Sequence, residues 1–307
     1  MENLYSLRAG YATIGQGAGP MLVTAKAGLF DKHGLHVEVR LMDGARGVVR
    51  GLMGGEIQFG NLACPALLRA NLRAGADLVF LTGGINQQFL MGRPGIDSRR
   101  ELTGGKVGFV DDGGLNDILA YFVMDQLKKE GISGVQIVPT TSGRKKIERL
   151  LHGESDAEII TPPEAIEAKR QGCRILVDFA EYGLNFALGG IAARRAYIRE
   201  HDKVTRGFVK AYVEGMHRYR TDRAFTVQVQ QEYSGISDRS IAEETYDVTQ
   251  PGMPAIPRPV LPALKIALDV MARKLPEAKK ADAQQFVDGR FISELVEGGF
   301  ISLLYGK

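Results

Sequence analysis

One phrase is written twice in this chain, about a hundred residues apart, and any fold has to account for both copies. Leu29–Gly60 reads LFDKHGLHVEVRLMDGARGVVRGLMGGEIQFG, and Gln126–Ala157 reads QLKKEGISGVQIVPTTSGRKKIERLLHGESDA. Each runs from the end of an amphipathic helix through a glycine stop, an alternating strand and a glycine turn to a second helix ending in Gly-Glu. The echo extends upstream, where Arg8-Ala9-Gly10-Tyr11 and Lys106-Val107-Gly108-Phe109 share basic, any, Gly, aromatic. Gly10 to Gly108 spans 98 residues, Gly34 to Gly131 spans 97, and Gly55 to Gly153 spans 98. A nearly constant offset over three landmarks points to a pair of α/β lobes of similar plan.

Each lobe can be traced by its periodicity. In the first, Leu7–Ala12 is expected as a strand and Pro20–Lys32 as a helix. Val37, Val39 and Leu41 alternate as a strand, and a helix through Val48–Met53 stops at Gly54-Gly55. EIQFGN is a short strand, Pro65–Ala74 a helix, and ADLVFLTGG a strand apolar enough to be buried on both faces. In the second lobe, strands are expected at Lys106–Val110, Val135–Pro139, DAEIIT and CRILVDF. Helices are expected at Asp117–Lys129, Arg144–Leu151 and Pro163–Arg170. Alternating strands and helices imply mostly parallel sheets. After Tyr197 only helical periods remain: Val204–Arg220, Arg223–Tyr233, Asp238–Tyr246, Leu261–Lys274, Asp282–Phe286 and Ser293–Glu297, broken by the bend PGMPAIPRPVLP.

The chain of 307 residues is long enough for two such units. Hydrophobic residues make up 44% and charged residues 24%, the balance of a globular protein, and the formal charge of +3 is small. Basic clusters such as Arg144-Lys145-Lys146 are scattered, as solvated helix faces are, so no nucleic-acid partner is expected. No apolar run approaches the ~18 residues that span a bilayer. Met1–Gly10 has neither the basic start nor the apolar stretch of a secretory leader. The location is therefore expected to be periplasmic or extracytoplasmic if a leader was removed, and cytoplasmic if Met1 is the native start. Two cysteines, Cys64 and Cys173, and five histidines form no ligand spacing, so no metal or other cofactor is expected. His33 and His36 flank a helix stop and are expected at the surface.

Several stretches together resemble the substrate-binding proteins of nitrate/sulfonate/taurine-type ABC transporters, a superfamily that includes domains similar to thiamine-pyrimidine synthase. They are GPMLVTAKAGLFDKHGLHVEVR, GLMGGEIQFGN, RPGIDSRRELTGGKVGFV, LKKEGISGVQIVP and LLHGESDAEIITPPEAIEAKRQGCRILVD. The string Ala27-Gly28-Leu29-Phe30…Gly34-Leu35…Val37-Glu38 is specific to this group. So is Ile96…Leu102-Thr103-Gly104-Gly105-Lys106-Val107-Gly108, although the family usually has one residue fewer before the lysine. The resemblance covers residues 8 to about 180, and the helical tail fits only in kind. It implies a type II periplasmic-binding-protein fold: two α/β lobes with a ligand cleft between them and a C-terminal helical tail. Residues 1–88 plus 186–307 would form lobe one and 89–185 lobe two, with crossovers near Asn86–Met91 and Asp178–Asn185 as the hinge of a Venus-flytrap clamp.

In such a fold, ligand meets the loops at strand C-termini, where helix starts offer free N–H groups. In ATIGQGAG, Pro20 occupies the third glycine position of a dinucleotide loop. The glycines there suit close backbone approach to a small ligand, with Thr13 offering a hydroxyl. Arg46, at a helix start, is suited to a carboxylate or sulfonate, or else to an exposed cap. Asn61 offers donor and acceptor, and Cys64 stands at a helix N-terminus that would lower a thiol pKa, or is simply packed. Asp111, Asp112 and Asn116 begin a lobe-two helix, as N-caps or as partners for ligand donors, and depart from the Gly-Ser-type loop frequent in sulfonate binders. Thr161 and Glu164 begin another. Asn86, Gln87 and Asn185 lie on the crossovers.

The expected function is capture of a small organic ligand, amphoteric or heteroaromatic and carboxylate-bearing, by a monomer that hands it to an ABC permease. The alternative is a cytoplasmic enzyme on the same fold (a synthase, decarboxylase or desulfinase) with Cys64 as its nucleophile. A ligand-sensing module is a third reading, without a visible DNA-binding segment.

Overall fold

A computed structural model describes residues 4–13, 16–85, 87–109, 114–140, 143–184, 188–234 and 236–306. In chain order the first elements are β1 (Tyr5–Tyr11), α1 (Gly19–Lys26), α2 (Leu29–Lys32), β2 (Leu35–Leu41), α3 (Gly44–Gly54), β3 (Phe59–Ala63), α4 (Cys64–Ala74) and β4 (Leu78–Phe80). A second set follows: β5 (Phe89–Gly92), β6 (Lys106–Phe109), α5 (Leu115–Lys129), β7 (Gln136–Pro139), α6 (Lys145–Leu151), β8 (Ala157–Ile160), α7 (Pro162–Arg170) and β9 (Arg174–Asp178). The remainder is β10 (Gly189–Arg194), α8 (Arg195–Glu200), α9 (Asp202–Thr221), α10 (Arg223–Ser234), α11 (Arg239–Thr249), α12 (Leu261–Met271), α13 (Arg290–Glu297) and α14 (Phe300–Leu304).

The strands form two five-stranded sheets, β2-β1-β3-β10-β4 and β7-β6-β8-β5-β9. The orders correspond strand for strand, so the duplicated phrase builds two sheets of one plan. The glycine landmarks also agree: Gly34 and Gly131 have φ of +78° and +80°, and Gly55 and Gly153 have +75° and +68°. All four turn through left-handed backbone that a side chain would strain.

The sheets differ from the expected mostly parallel pattern in their fourth strand. β10 runs antiparallel to β3 and β4, and β5 antiparallel to β8 and β9. Each is the strand that arrives from the other sheet. Both are short runs, FLMG and GGIAAR, buried except for Arg194 and without the alternation that marks a half-exposed strand, and so neither stood out in the sequence.

Pairing fixes how the sheets face each other. Phe89, the start of β5, pairs with Ile160 at the end of β8, and with Asp178 at the end of β9. Gly189, the start of β10, pairs with Ala63 at the end of β3. Both crossovers, residues 81–88 and 179–188, therefore join the C-terminal edge of one sheet to the C-terminal edge of the other. Those two edges must confront one another.

The apolar core has three parts. One covers the outer face of the first sheet, with Phe59, Phe208 and Tyr212 fully buried beneath α1 and α9. The Phe59 and Phe208 rings stack at 3.9 Å. A small cluster with Phe89, Met91 and Ile160 lies under α6 and α7. The third is continuous across both sheets, joining α3 and α4 to α5 through α12. His33 departs from expectation. Its side chain is only 12% exposed, and its Nε2 lies 2.8 Å from Glu214 on α9. His36 is exposed, as its position outside the helix stop suggests.

Candidate functional site

The described candidate residues stand on the two sheets' strand and helix starts and on the crossovers between them. On the first sheet, β1 ends at Tyr11 and the exposed Thr13 follows. A single 3-10 turn, Gln16–Ala18, then brings the chain back across the edge. A Cβ on Gly17 would stand 3.2 Å from the Ile85 carbonyl and 3.8 Å from Asn61 Oδ1. The β1 loop, the β3 side chain Asn61 and the first crossover thus converge at one point. Asn61 is 8% exposed.

Two further groups here were not singled out by sequence. Both carboxamide atoms of Gln16 are buried without a hydrogen-bond partner among the described residues, an arrangement that normally needs an explanation. Tyr11 is buried, and burial, with a smaller contribution from Tyr233, pushes its phenol up. The tail helix α10 therefore reaches the edge of the first sheet, which no local motif announces.

Arg46 lies in the first turn of α3 and is exposed. Its neighbours Asp43 and Arg50 pair with each other at 3.2 Å, and among the described residues no ion pair or hydrogen bond engages Arg46. Cys64 opens α4 but is fully buried, its N–H donating 2.9 Å to the Leu188 carbonyl. Burial pushes its thiol far above the ordinary range. The expected lowering by the helix start is outweighed, because a thiolate there would lose its hydration to an apolar core.

The second sheet contributes differently from expectation. Asn116 is half-buried in the first turn of α5, while Asp111 and Asp112 lie outside the described residues. Thr161 and Glu164 meet each other, the hydroxyl donating to the carboxylate across the first turn of α7. The bond joins the two side chains to each other, and the Thr161 hydroxyl does not cap a backbone N–H of α7. Arg144 is exposed and paired with Glu167 at 2.6 Å. Lys146, two residues on, is buried rather than solvated, its Nζ donating 2.7 Å to the Ile159 carbonyl near the end of β8. A buried ammonium beside a strand C-terminus was hidden in the sequence by its two basic neighbours.

The crossovers form the floor. Asn86 and Asn185 lie outside the described residues. Gln87 is buried and its Nε2 donates 2.7 Å to Asp178 Oδ1, which also accepts from the Ala180 N–H at 2.8 Å. Phe179 N–H donates 3.4 Å to the Gln88 carbonyl. Gln87 thus ties the two crossovers together, while the buried Gln88 side-chain oxygen has no partner among the described residues. Backbone contact completes the floor: a Cβ on Gly84 would lie 2.8 Å from Gly190 Cα.

Two outer grooves lie elsewhere. One of about 550 Å³ runs between α5 and α12, and one of about 450 Å³ lies at the far end of β1, around Tyr5–Arg8. Among the described residues no group of His, Cys, Asp and Glu is arranged to hold a metal ion, and no helix is long and apolar enough to cross a membrane.

The model of the family described as NMT1/THI5 like matches residues 17–222. Compared with curated proteins by sequence, the chain has no match. Among solved structures it is similar to the periplasmic aliphatic sulphonate binding protein SsuA from Escherichia coli, at 20% identity and a TM-score of 0.75, covering 92% of this chain and 97% of that one. A putative periplasmic sulfonate-binding protein SsuA of Methylobacillus flagellatus KT gives 19%, 0.78, 98% and 96%. The desulfurization enzyme DSZB gives 16%, 0.72, 95% and 99%. At these identities the likeness is one of fold: the two sheets and their helices are arranged as in a periplasmic-binding-protein fold.

Proposed function

The chain belongs to the NMT1/THI5-like family, and from that premise we propose that it is a solute-binding protein, taking a small organic ligand between its lobes for delivery to an ABC-type importer. Residues 1–88 with 186–307 act as one jaw and 89–185 as the other. The observation that carries the reading is the register of the crossovers, which turns both strand edges, with their loops, toward one cleft. The structural relatives named as sulfonate-binding proteins support it. Delivery to an importer places the protein outside the cytoplasm and makes a permease its partner.

The ligand is recognised by polar groups more than by charge. Arg46 supplies an available guanidinium on the first lobe, and Gln16 and Asn61 supply carboxamides on the same lobe. A small molecule with an acidic end toward Arg46 and a donor- or acceptor-bearing ring toward Gln16 and the second lobe fits this set. Thr13, Asn116 and the loop residues Asp111, Asp112, Asn86 and Asn185 belong to the same proposed lining. Glu164 and Thr161 take part as a hydrogen-bonded pair, and Gln87 through the floor.

A second reading, an enzyme on the same fold, has the likeness to DSZB in its favour. The buried, high-pKa Cys64 counts against a thiolate nucleophile at that position.

Screening small organic acids by thermal shift, followed by calorimetry, tests the proposal. Losing a charged hydrogen bond costs about 1.5–3 kcal/mol, ten- to a hundred-fold in affinity. Arg46→Ala is expected to weaken an acid ligand by that factor and to leave its amide analogue nearly unchanged. Equal losses for both would reduce Arg46 to a surface cap.

A further inference from the structure

The tail joins the two lobes twice, and the two joints are chemically unlike. Most of the tail belongs with the first sheet: α9 packs on α1 and α2, and Val287 bridges to Phe80 of β4. Two tail helices leave that body and reach the second lobe. α12 packs on α5, and α11 packs on α7. α5 and α7 cover opposite faces of the second sheet, since Leu90 and Ile159 turn toward the α5 core while Phe89, Met91 and Ile160 turn toward α6 and α7. The second lobe is therefore held on both of its faces.

On the α5 face the joint is mainly apolar, with an exposed Arg273–Asp125 ion pair at its rim. Leu264 and Leu268 of α12 share one buried cluster with Leu67 of α4 and Ile118 of α5. Sliding or parting these helices would expose close-packed hydrocarbon to water. On the α7 face there is no such continuity, because the core beneath α7 and the core beneath α9 and α10 are separate clusters. A polar cluster links the lobes there. Arg170, the last residue of α7, reaches Asp238 at 3.2 Å, Ser240 Oγ at 2.9 Å and the Glu244 carboxylate. These groups are 40–50% exposed. Asp238 also caps α11, accepting from the Ser240 N–H at 2.8 Å. Without Asp238 and Glu244, the Arg170 guanidinium would face the positive end of the α11 dipole. α11 also packs along α7, with Ile166 and Ile241 buried on the two helices, so the joint combines helix packing with charge pairs that salt screens.

We propose that the α4–α5–α12 seam is the axis on which the lobes open, and that the Arg170 cluster is a latch on the opposite face that breaks when they do. The latch lies away from the strand edges, so it sets the balance of open and closed forms without touching solute. Its chemistry makes that balance sensitive to ionic strength.

The test uses the ligand-free chain, so it stands or falls separately from the solute-binding reading. Spin labels replace Met53 on α3 and Leu151 on α6, both exposed and one on each lobe. Their distance distribution is measured in low and high salt. Screening shortens the reach of exposed charges from about 30 Å at 0.01 M to about 3 Å at 1 M ionic strength. The unaltered latch is expected to give a distribution that moves to a different mean distance as salt rises. Arg170→Met, which keeps the aliphatic stem, is expected to sit at the high-salt distribution in both conditions, with its circular dichroism unchanged. The charge exchange Arg170→Glu with Glu244→Arg is expected to restore salt dependence. Identical distributions for the unaltered chain and Arg170→Met in both salts would overturn the latch. So would loss of fold in Arg170→Met, which would make the cluster a structural necessity instead of a releasable contact.

Discussion

Gly190→Ala lowers the melting temperature by on the order of 10 °C, the largest effect we expect from a single methyl group in this protein. Gly190 lies on the second crossover strand with φ of +152°, a backbone conformation that side chains rarely adopt. A Cβ there would stand 2.0 Å from the Thr82 carbonyl oxygen, and that oxygen is backbone, unable to swing away. The adjacent Ile191 N–H donates 3.2 Å to Thr82 Oγ1, and Gly84 packs on Gly190 from the other crossover. Relieving the clash means separating the two strands that form the cleft floor. Backbone strain and overpacking together cost about 4 kcal/mol, and each kcal/mol moves the melting point of a chain this large by roughly 2–4 °C. Gly289→Ala is the control, since nothing lies within 4 Å of its Cβ position and its φ is ordinary. Melting temperatures of the two variants within 2 °C of each other would show that the crossovers are not packed through backbone.

Gly108→Ala is expected to cost about 3 kcal/mol, and its repeat counterpart Gly10→Ala about 1. The two glycines share one task, admitting a side chain over the second strand of their sheets. The side chains they admit differ. Over Gly10 lie the ends of Ile57 and Met42, each 2.7 Å from a built Cβ, and these can turn aside. Over Gly108 lies the Glu158 carboxylate, 2.1 Å from a built Cβ. Glu158 is fully buried, and its Oε1 accepts from Ser155 Oγ at 2.8 Å, Thr140 Oγ1 at 2.9 Å and Arg149 Nε at 3.2 Å. Displacing it breaks those bonds while the charge stays out of water. Glu158→Ala is costly alone, but it removes the obstacle. Denaturant melts should therefore show the double variant losing less than the sum of the singles, by a kcal/mol or more. Strict additivity would mean that Gly108 is required for another reason.

The repeat was legible because its landmarks are backbone demands. Gly34, Gly131, Gly55 and Gly153 each end a helix in left-handed backbone, and a residue with that duty keeps its place when the surrounding sequence drifts. The tail helices were legible because an amphipathic face has a period. The crossover strands β5 and β10 were not, since β5 is only four residues long and β10 begins with two glycines. The candidate site was legible as positions more than as roles. Arg46 stands at a helix start, Asn61 on β3 and Gln87 on a crossover, but only the folded chain shows that Gln87 is already bonded to Asp178, and that Thr161 and Glu164 satisfy one another. Lys146 and His33 show the same limit from the other side. Neither burial nor a partner far along the chain is written in the few residues around them.

The central claim is that the cleft between the two strand edges holds a small solute without changing it. Native mass spectrometry of the chain, purified from its source cells without dialysis, tests this most directly. The account predicts the mass of one chain plus one small molecule, released intact on unfolding and regained on incubation with a small-molecule extract of the same cells. The bare mass before and after that incubation, or an adduct that survives unfolding as a covalent bond, would contradict it.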